Sequence, residues 1–321
     1  MNNSPAIKVQ GLIKYYNDVL AVDHISFEVK TGEIFGFLGP NGAGKTTTIR
    51  ILTGLSQPSG GTADVLGYDI RTEVVKAKKI SGIVPEISNL YDDLTALENL
   101  VFAAQLYGVP RKQRRERAEE LLKIFSLWQK KDVSFAKLSR GMKRALTIAA
   151  ALTHKPQLLF LDEPTVGLDV VNARSLRSLV QELHEQGVTV FLTTHYLEEA
   201  DLLCDRVAFL AHGRIVALDT PEALKSEIRA EPVCQVNFIP VPTSTMELEA
   251  QDGVCNVQKY RDGFRVSGAS ISLLTEAISH FATQSGLEII SFCTVEPTLE
   301  DAFVQFTGLN AEVMLAEKGG R

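Results

Sequence analysis

The chain has 321 residues, of which 45% are hydrophobic and 22% charged, and its net charge is −6. This length suits two compact domains, and the composition is that of an ordinary globular protein rather than a disordered or collagen-like one. The acidic balance argues against nucleic acid as a partner. The four cysteines include no C-x-x-C pair, which indicates reduced thiols rather than a disulfide or metal framework.

The N-terminal sequence has neither the basic start nor the apolar core of a signal peptide. No run of about 18 apolar residues, the length that spans a bilayer, occurs anywhere in the chain. We therefore expect that the chain does not cross a membrane by itself and that any membrane role needs another subunit.

Two short strands are predicted at the start of the chain, at Ile7–Val9 and Ile25–Val29. Tyr15 and Tyr16 lie between them in a polar stretch. Composition leaves two interpretations of these rings open: half-buried aromatics, or a surface on which adenine stacks.

The stretch Ile34–Gly54 predicts a buried strand, a glycine-rich loop and a helix. The loop, which we call the phosphate loop (Gly39–Thr46), reads GPNGAGKT and matches G-x-x-x-x-G-K-[ST]. Strand, glycine loop and helix in this order are the context in which the pattern binds a nucleoside triphosphate.

The residue types of the phosphate loop suit that chemistry. Its glycines, Gly39, Gly42 and Gly44, let successive backbone N–H groups turn toward an anion, and the following helix adds its positive dipole end. Lys45 supplies a cation for the β- and γ-phosphates, and the Thr46 hydroxyl supplies a Mg²⁺ ligand.

The segment Leu90–Trp128 is predicted to be helical. Either Asp93 or Thr95 caps its first helix, and Pro110 opens the second. The basic run Arg111–Arg117 lies on that second helix. A solvated helix face is the simpler interpretation of such a run, with a nucleic-acid patch as the alternative.

Strands alternate with helices over the next part of the chain, which predicts an α/β sheet covered on both faces. The predicted strands are Gln157–Leu161, Val188–Thr193, Val207–Leu210 and Ile215–Leu218. The first ends in Asp162 and Glu163. A carboxylate at this position beside a phosphate loop can hold Mg²⁺, and its neighbour can orient or deprotonate the attacking water.

After Pro221 the pattern predicts a small ferredoxin-like domain with the order β-α-β-β-α-β and a terminal helix. Its predicted elements are Val233–Ile239, Ser244–Ala250, a hairpin Val254–Tyr260/Phe264–Ser267 that turns at Arg261-Asp262-Gly263, Ile271–Ser285, Leu287–Val295 and Leu299–Phe306. It contains no cluster of titratable groups or metal-ligand spacing, so a docking or regulatory module is favoured over a catalytic one.

From Ile7 to about Lys225 the chain resembles the nucleotide-binding subunit of an ABC transporter. The motifs that carry the resemblance are, in order, GPNGAGKT, LSRGMKR (Leu138–Arg144), LLFLDEP (Leu158–Pro164), GLD (Gly167–Asp169) and TTH (Thr193–His195). RIVALDTPEALK and EPTLEDAFVQFTG, nearer the end, look like the bacterial drug- and polysaccharide-export branch.

The resemblance implies a role for each motif position. Asp162 matches the Walker B aspartate that binds Mg²⁺, Glu163 the catalytic base, and His195 the histidine that contacts the γ-phosphate. Ser139 and Gly141 match signature residues that contact ATP on the opposite subunit, although Ser139 also suits a helix N-cap. The implied nucleotide-binding set is Tyr16, Gly39, Asn41, Gly42, Gly44, Lys45, Thr46, Thr47, Glu86, Ser139, Gly141 and Asp169, with Thr46, Asp162 and Glu86 at the metal.

The same resemblance implies the organisation of the protein. Residues 1–225 form a phosphate-loop cassette with a mixed sheet, helices on both faces and a helical subdomain at about 88–150. Residues 226–310 form a small α+β domain, and residues 311–321 a flexible tail. ATP and Mg²⁺ are the implied cofactors. The implied partners are a second copy or a related ATPase subunit, bound head to tail, and a multi-span membrane subunit, with the chain on the cytoplasmic face.

Two segments depart from the family pattern. Arg140 and Met142 replace a glycine and a glutamine of the usual LSGGQ, so we expect a working site with a perturbed interface. Glu86 stands where the family normally has glutamine; a glutamate accepts hydrogen bonds but does not donate them, and it adds negative charge near Mg²⁺. We hypothesise that Glu86 keeps a coupling role, against the alternative of a surface-loop glutamate.

The preferred interpretation is the ATP-hydrolysing subunit of an export-type ABC transporter. Two other classes of protein stay open: a soluble ABC-type ATPase acting on nucleic acid or ribosomes, and a regulatory binder without catalysis. A single set of motifs and the absence of a long coiled-coil insertion argue against the first. The presence of Lys45, Asp162, Glu163 and His195 argues against the second.

Overall fold

A computed structural model describes residues 4–228, 232–242, 244–260 and 263–309. These residues divide into two compact units. The first unit holds residues 4–224 and 303–309, and the second unit holds residues 225–302. Within the described ranges, no helix combines the length and apolar character needed to cross a bilayer.

The elements up to residue 227 alternate between strands and helices over most of their length. They are β1 (Ile7–Tyr16), β2 (Val19–Val29), β3 (Ile34–Leu38), α1 (Lys45–Leu52), β4 (Gly60–Val65), β5 (Tyr68–Asp69), α2 (Val74–Lys79), β6 (Ser81–Val84), α3 (Ala96–Leu106), α4 (Arg111–Ile124), α5 (Arg140–Ala151), β7 (Leu158–Asp162), α6 (Val170–Glu185), β8 (Thr189–Thr194), α7 (Leu197–Leu203), β9 (Arg206–Ala211), β10 (Arg214–Asp219) and α8 (Pro221–Glu227).

The main sheet of the first unit has six strands in the order β10-β9-β3-β8-β7-β6. Five of them run parallel, and β10 pairs antiparallel with β9 at one edge. This confirms the mixed sheet that the sequence predicted. Strands β3, β7 and β8 are buried along their whole length. Asp162 on β7 pairs with Thr193 on β8, so the two strands end together at one edge of the sheet.

A second, antiparallel sheet of the first unit has the order β2-β1-β4-β5. The sequence predicted only the short strands Ile7–Val9 and Ile25–Val29, and it placed Tyr15 and Tyr16 in a polar connection. Both predicted strands exist, as parts of β1 and β2, but they are longer than predicted. The placement of the tyrosines outside a strand is wrong, because β1 contains them. Register shifts along the β1–β2 pair interrupt the alternation of apolar and polar residues, which explains why the pattern ended early.

A cluster of phenylalanines joins the two sheets of the first unit. Phe27 from β2 packs against Phe35 and Phe37 from β3, and Phe191 from β8 and Phe160 from β7 complete the cluster, with ring centroids 5.4–6.0 Å apart. Burial of one such ring contributes roughly 1.5–3 kcal/mol. The cluster therefore fixes the strands whose ends carry the phosphate loop and the acidic pair.

Helices α3, α4 and α5 pack against one another and form the helical part of the first unit. Thr95, one of the two predicted caps, begins α3 and forms a capping box with Glu98. Pro110 directly precedes α4, as predicted. In the basic run, Arg115 pairs with Glu119 and Arg117 with Glu120, which is the arrangement of a solvated helix face.

The second unit has one antiparallel sheet in the order β12-β13-β11-β14. Its elements, with the helix that follows them, are β11 (Val233–Ile239), α9 (Met246–Glu249), β12 (Val254–Tyr260), β13 (Gly263–Gly268), α10 (Ile271–Ser285), β14 (Glu288–Val295) and α11 (Leu299–Thr307). The first predicted helix is shorter than expected, and α10 has the predicted bounds. The hairpin turn at 261–262 and the tail at 311–321 lie outside the described residues.

The chain returns to the first unit at Phe303. The sequence analysis assigned all residues from 226 to 310 to the accessory domain, so it placed residues 303–309 differently. Phe303 is fully buried, and its ring meets that of Phe209 on β9 edge to face, with centroids 5.3 Å apart. No local pattern indicates such a return, because the contact joins residues far apart in sequence.

Candidate functional site

The phosphate loop connects the buried end of β3 to α1, which begins at Lys45. Gly42 and Gly44 have φ angles of 83° and 108°, in a region that side-chain-bearing residues rarely adopt. A Cβ atom on Gly39 would stand 2.2 Å from the backbone oxygen of Leu210. The close approach and the backbone angles therefore require glycine at these positions.

A cavity of about 860 Å³ lies over the phosphate loop. It brings together many residues that the sequence analysis selected: Asn41, Gly42, Gly44, Lys45, Thr46, Thr47, Glu86, Glu163 and His195. It is also lined by residues that the sequence analysis did not select, among them Ala21, Arg50, Leu168 and Tyr196. Residues more than 150 positions apart in the chain thus meet in one place.

Lys45 lines this cavity and is only 5% exposed. Its Nζ donates to the backbone oxygens of Gly39 at 2.5 Å and Pro40 at 3.2 Å. The same atom is 3.1 Å from Glu163 Oε1. A buried lysine needs such partners, because an isolated charge in this environment is strongly disfavoured.

Glu163 has a second close contact in the cavity, since its Oε2 lies 2.9 Å from His195 Nδ1. Burial raises the pKa of the Glu163 carboxyl, but the hydrogen bond to His195 and the positive charge of Lys45 outweigh burial and lower the pKa below its usual value. The backbone of Glu163 has a φ of 46°, which is uncommon for a residue other than glycine. Strained backbone of this kind clusters at functional sites.

Asp162 lies beside the loop and accepts hydrogen bonds from two hydroxyl groups. Thr193 Oγ1 donates to Asp162 Oδ1 at 2.7 Å, and Thr46 Oγ1 is 3.4 Å from the same oxygen. Burial raises the pKa of this carboxyl, and the nearby charges of Glu163 and Glu86 act in the same direction. Asp162 is thus a buried acid in a strongly negative environment.

Six selected residues do not line the cavity. Gly39 and Asp162, described above, belong to the phosphate loop and to the strand end beside it, and the other four lie elsewhere. Ser139 caps α5 by accepting the backbone N–H of Met142, which confirms the N-cap interpretation, and Asp169 caps α6 by accepting that of Asn172. Gly141 packs so closely on Asn172 that a Cβ atom would be 2.6 Å from its side chain. Tyr16, the fourth, ends β1 with its ring 41% exposed.

Thr193 is the residue of this site to which the sequence analysis gave no role. Its hydroxyl accepts the backbone N–H of Glu163 at 3.1 Å in addition to donating to Asp162. The available signal was its place in TTH, at the end of the strand that neighbours the LLFLDE strand. The contact between Thr193 and Asp162 depends on the register of β7 and β8, and a single sequence does not supply that register.

A glycine loop between a parallel strand and a helix, with an acidic pair at the end of a neighbouring strand, defines a phosphate-loop nucleoside triphosphatase. Comparison with known proteins narrows this class. Residues 22–166 match the family described as ABC transporter.

The relatives cover nearly the whole chain. The linearmycin resistance ATP-binding protein LnrL of Bacillus subtilis (strain 168) is 36% identical over 305 residues, which cover 94% of this chain and 98% of that protein. The daunorubicin/doxorubicin resistance ATP-binding protein DrrA of Streptomyces peucetius is 37% identical over 317 residues, with 97% and 96% covered. A solved dimeric ATP-binding cassette in a post-hydrolysis state, with ADP and Pi bound, is 27% identical with a TM-score of 0.62, and the match covers 67% of this chain and 98% of that one.

The chain belongs to the ABC transporter family. It is the ATP-binding and ATP-hydrolysing subunit of an export-type transporter. The comparisons confirm the family and the activity that the motif order predicted, and the export branch that RIVALDTPEALK and EPTLEDAFVQFTG indicated. Relatives of this kind work as dimers together with membrane subunits.

Proposed function

We propose that the phosphate loop holds the phosphates of ATP and that Glu163 orients and deprotonates the water that attacks the γ-phosphate. The observation that carries this role is the pair of contacts from Glu163 to Lys45 and His195 inside the cavity. Because the pKa of Glu163 is lowered, its carboxylate is ionised at neutral pH and can accept a proton. Lys45 and His195 stabilise the negative charge that develops on the transferred phosphoryl group.

The other motif positions complete the nucleotide site. The exposed ring of Tyr16 stacks on adenine, and backbone N–H groups of the loop surround the phosphates. The contacts to the bound nucleotide come from Gly39, Asn41, Gly42, Gly44, Thr46 and Thr47. Most of these residues line the cavity, which supports the assignment.

The residues beside the loop fit Mg²⁺. Thr46 and Asp162 offer hydroxyl and carboxylate oxygens, the donors that Mg²⁺ prefers, and Glu86 offers a third oxygen. The charges of Glu163 and Glu86 raise the pKa of Asp162, and a divalent cation would offset them. Among the described residues no group of three or more acidic, histidine or cysteine side chains forms a cage. Thr46, Asp162 and Glu86 would hold the ion, which would supply positive charge to offset that of the phosphates.

Two copies of the chain, or this chain and a related one, bind head to tail. Ser139, Gly141 and Asp169 lie outside the cavity of their own chain, which supports a role at the cavity of the partner. Ser139 and Gly141 contact the ATP of the opposite subunit, and Asp169 lies in the loop that crosses the interface. ATP binding closes this dimer, and hydrolysis opens it.

A groove in the helical part is the proposed docking site for the membrane subunit. This second cavity, of about 190 Å³, is lined by residues of α3, α5 and the loop after β6, including Asn89, Tyr91, Phe102 and Leu106. Tyr91 and Leu106 are 54% and 69% exposed, as expected for an unfilled apolar contact. Glu86 lies in the same loop and also lines the nucleotide cavity, which supports its coupling role. Docking there places the chain on the cytoplasmic face of the membrane.

The second unit is proposed to be a ferredoxin-like docking or regulatory module. Its strand order β12-β13-β11-β14, with every pair antiparallel, supports this assignment.

The experiment that tests the function uses Glu163→Gln, which should bind ATP and hydrolyse it very slowly. The variant is isolated in detergent from its native cell with ATP and Mg²⁺, and co-purifying proteins are identified by mass spectrometry. Glu119→Gln, which changes a half-buried glutamate of α4 that pairs with Arg115, is the matched control. We expect a multi-span membrane protein that is retained by Glu163→Gln only when ATP is present.

Two results would contradict the proposal. An ATP-dependent dimer without any membrane partner would argue against the transporter assembly, and ribosomes or DNA in that fraction would favour a soluble ATPase. ATP hydrolysis at the wild-type rate by Glu163→Gln would remove Glu163 from its proposed role.

A further inference from the structure

Arg144 is a buried cation that the motif roles do not use. It lies on α5, just after the capping residue Ser139, and is 9% exposed. Its guanidinium donates to five backbone carbonyl oxygens, as many as it has N–H groups. An arginine with every donor satisfied in one rigid geometry holds its neighbours in place rather than moving freely.

The carbonyl groups belong to two segments of the nucleotide site. At the end of β7, Nη2 donates to Asp162 O at 2.9 Å and to Glu163 O at 3.2 Å, while Nε donates to Pro164 O at 2.9 Å. In the loop after β6, Nη1 donates to Pro85 O at 2.5 Å and to Glu86 O at 3.3 Å. The side chain of Arg144, on α5, thus connects the end of β7, which leads to Glu163, with the loop after β6, which contains Glu86.

The contact with Glu163 matters because the backbone of that residue is strained. With a φ of 46°, Glu163 occupies a conformation that the surrounding structure must enforce. Arg144 bonds the carbonyl of Glu163 and those on both sides of it. Displacement of Arg144 would therefore change the direction in which the Glu163 carboxylate points.

Electrostatics explain why an arginine is tolerated there. Burial lowers the pKa of the Arg144 guanidinium to about 10, and the charges of Asp162, Glu86 and Glu163 oppose this shift, so the side chain is a cation at neutral pH. A lysine would keep the charge but would lack the planar fork that reaches both segments.

We propose that Arg144 is a positioning residue. It couples the signature residues Ser139 and Gly141 of one subunit to the catalytic Glu163 of the same subunit. When Ser139 and Gly141 engage the ATP of the partner, the shift of α5 is passed through Arg144 to the backbone of Glu163 and to the loop of Glu86. Each ATP site then depends on the occupancy of the other, so hydrolysis is cooperative in ATP. This inference rests on the proposed roles of Glu163 and the signature residues.

The test compares Arg144→Gln and Arg144→Lys with the wild type in purified full-length protein. Arg117→Gln is the matched control, because Arg117 is also a partly buried helical arginine that donates to a backbone oxygen, that of Leu152, away from the cavity. The kcat, KM and Hill coefficient of ATP hydrolysis are measured, together with the Kd of a fluorescent ATP analogue and the thermal unfolding midpoint.

We expect both Arg144 variants to lower kcat by about 10–100-fold, as loss of residues that orient a catalytic group typically does. The Hill coefficient should fall to about 1, because the coupling between sites is lost. The Kd of the ATP analogue should stay within about threefold of the wild-type value, since Arg144 contacts no proposed nucleotide ligand except through the backbone. Arg117→Gln should match the wild type in all of these.

Three outcomes would overturn the inference. One is a wild-type kcat and Hill coefficient in Arg144→Gln, and another is a parallel loss of nucleotide affinity. The third is the failure of both Arg144 variants to unfold cooperatively, which would assign Arg144 a purely structural role. Failure of the proposed function is recognised separately, by hydrolysis at the wild-type rate in Glu163→Gln.

Discussion

Thr193 donates its hydroxyl hydrogen to Asp162 Oδ1 at 2.7 Å across the register of two buried parallel strands. The same hydroxyl accepts the backbone N–H of Glu163. One uncharged side chain therefore orients both members of the acidic pair. Asp162 is a proposed Mg²⁺ ligand, and loss of a group that orients a metal ligand typically lowers metal affinity or activity about 10–100-fold.

Thr193→Val should lower ATPase activity about 10–100-fold and raise the Mg²⁺ concentration needed for half-maximal activity. Valine keeps the shape of threonine but removes the hydrogen bond that lowers the pKa of Asp162. That pKa should rise, so the acid limb of the pH–rate profile moves to higher pH. The measurement is ATPase activity as a function of pH and Mg²⁺ concentration.

Thr189→Val is the control for this prediction, because Thr189 is buried on the same strand and its hydroxyl accepts the backbone N–H of Gly32, away from the cavity. It should leave the Mg²⁺ dependence unchanged. If both substitutions changed the Mg²⁺ dependence of ATPase activity equally, the cause would be the loss of any buried hydroxyl on β8 and not the contact between Thr193 and Asp162.

His195→Ala should lower kcat by about 10²–10³-fold, the range for loss of one group that stabilises the charge developing in the transition state. It also removes a hydrogen bond that lowers the pKa of Glu163, so that pKa should rise and activity should be lost at a higher pH as the solution is acidified. Steady-state ATPase rates across pH test both effects, with His280→Ala, an exposed histidine of the second unit, as control. If the acid limb of the pH–rate profile were the same in His195→Ala and in the wild type, His195 would not lower the pKa of Glu163.

Gly141→Ala should weaken ATP-dependent dimerisation roughly 10-fold, a cost of about 1.4 kcal/mol. The added Cβ would stand 2.6 Å from Asn172, whose side chain is held by Asp169. The substitution therefore disturbs both the first turn of α5, which contains Gly141, and the cap of α6. Dimer formation is measured by light scattering with ATP in a Glu163→Gln background.

The pair Gly141→Ala/Asn172→Ala distinguishes this steric cause from others. Removal of the Asn172 side chain makes room for the new methyl group, so the double variant should dimerise better than Gly141→Ala alone. No recovery would mean that the methyl group acts directly on the partner's nucleotide.

Glu199→Gln should stabilise the protein at neutral pH. Glu199 on α7 is buried, and burial raises the pKa of its carboxyl despite the hydrogen bond from Thr165. Below the usual carboxyl pKa the group is protonated in folded and unfolded chains alike; as the pH rises through the raised folded-state pKa, ionisation in the buried site reduces stability. Glutamine accepts the same hydrogen bond without a charge.

The expected gain at pH 7 is about 2–4 °C in the unfolding midpoint, which corresponds to ~1 kcal/mol for a chain of this size. The gain should shrink as the pH approaches 4, and differential scanning calorimetry across this pH range measures it. Glu198→Gln, an exposed neighbour on the same helix, should have no such pH-dependent effect.

Local sequence patterns predicted the elements that surround the nucleotide. The strand Ile34–Leu38, the glycine loop and the helix after it combine an apolar run with residues that only one backbone geometry accommodates. The antiparallel sheet was largely missed, because bulges in the β1–β2 pair disrupt its alternation. The contacts of Thr193 and Arg144 were also missed, since both depend on register and packing between segments far apart in the chain.

The return of the chain at Phe303 makes the second unit an insertion rather than an appendage. A protein cut after residue 224 loses the ring that covers Phe209, and loss of one buried phenylalanine costs about 3–5 kcal/mol. A protein in which a short linker joins residue 224 to residue 303 keeps that ring. The second unit is thus exchangeable in an engineered transporter subunit, provided that residues 303–309 stay with the ATPase.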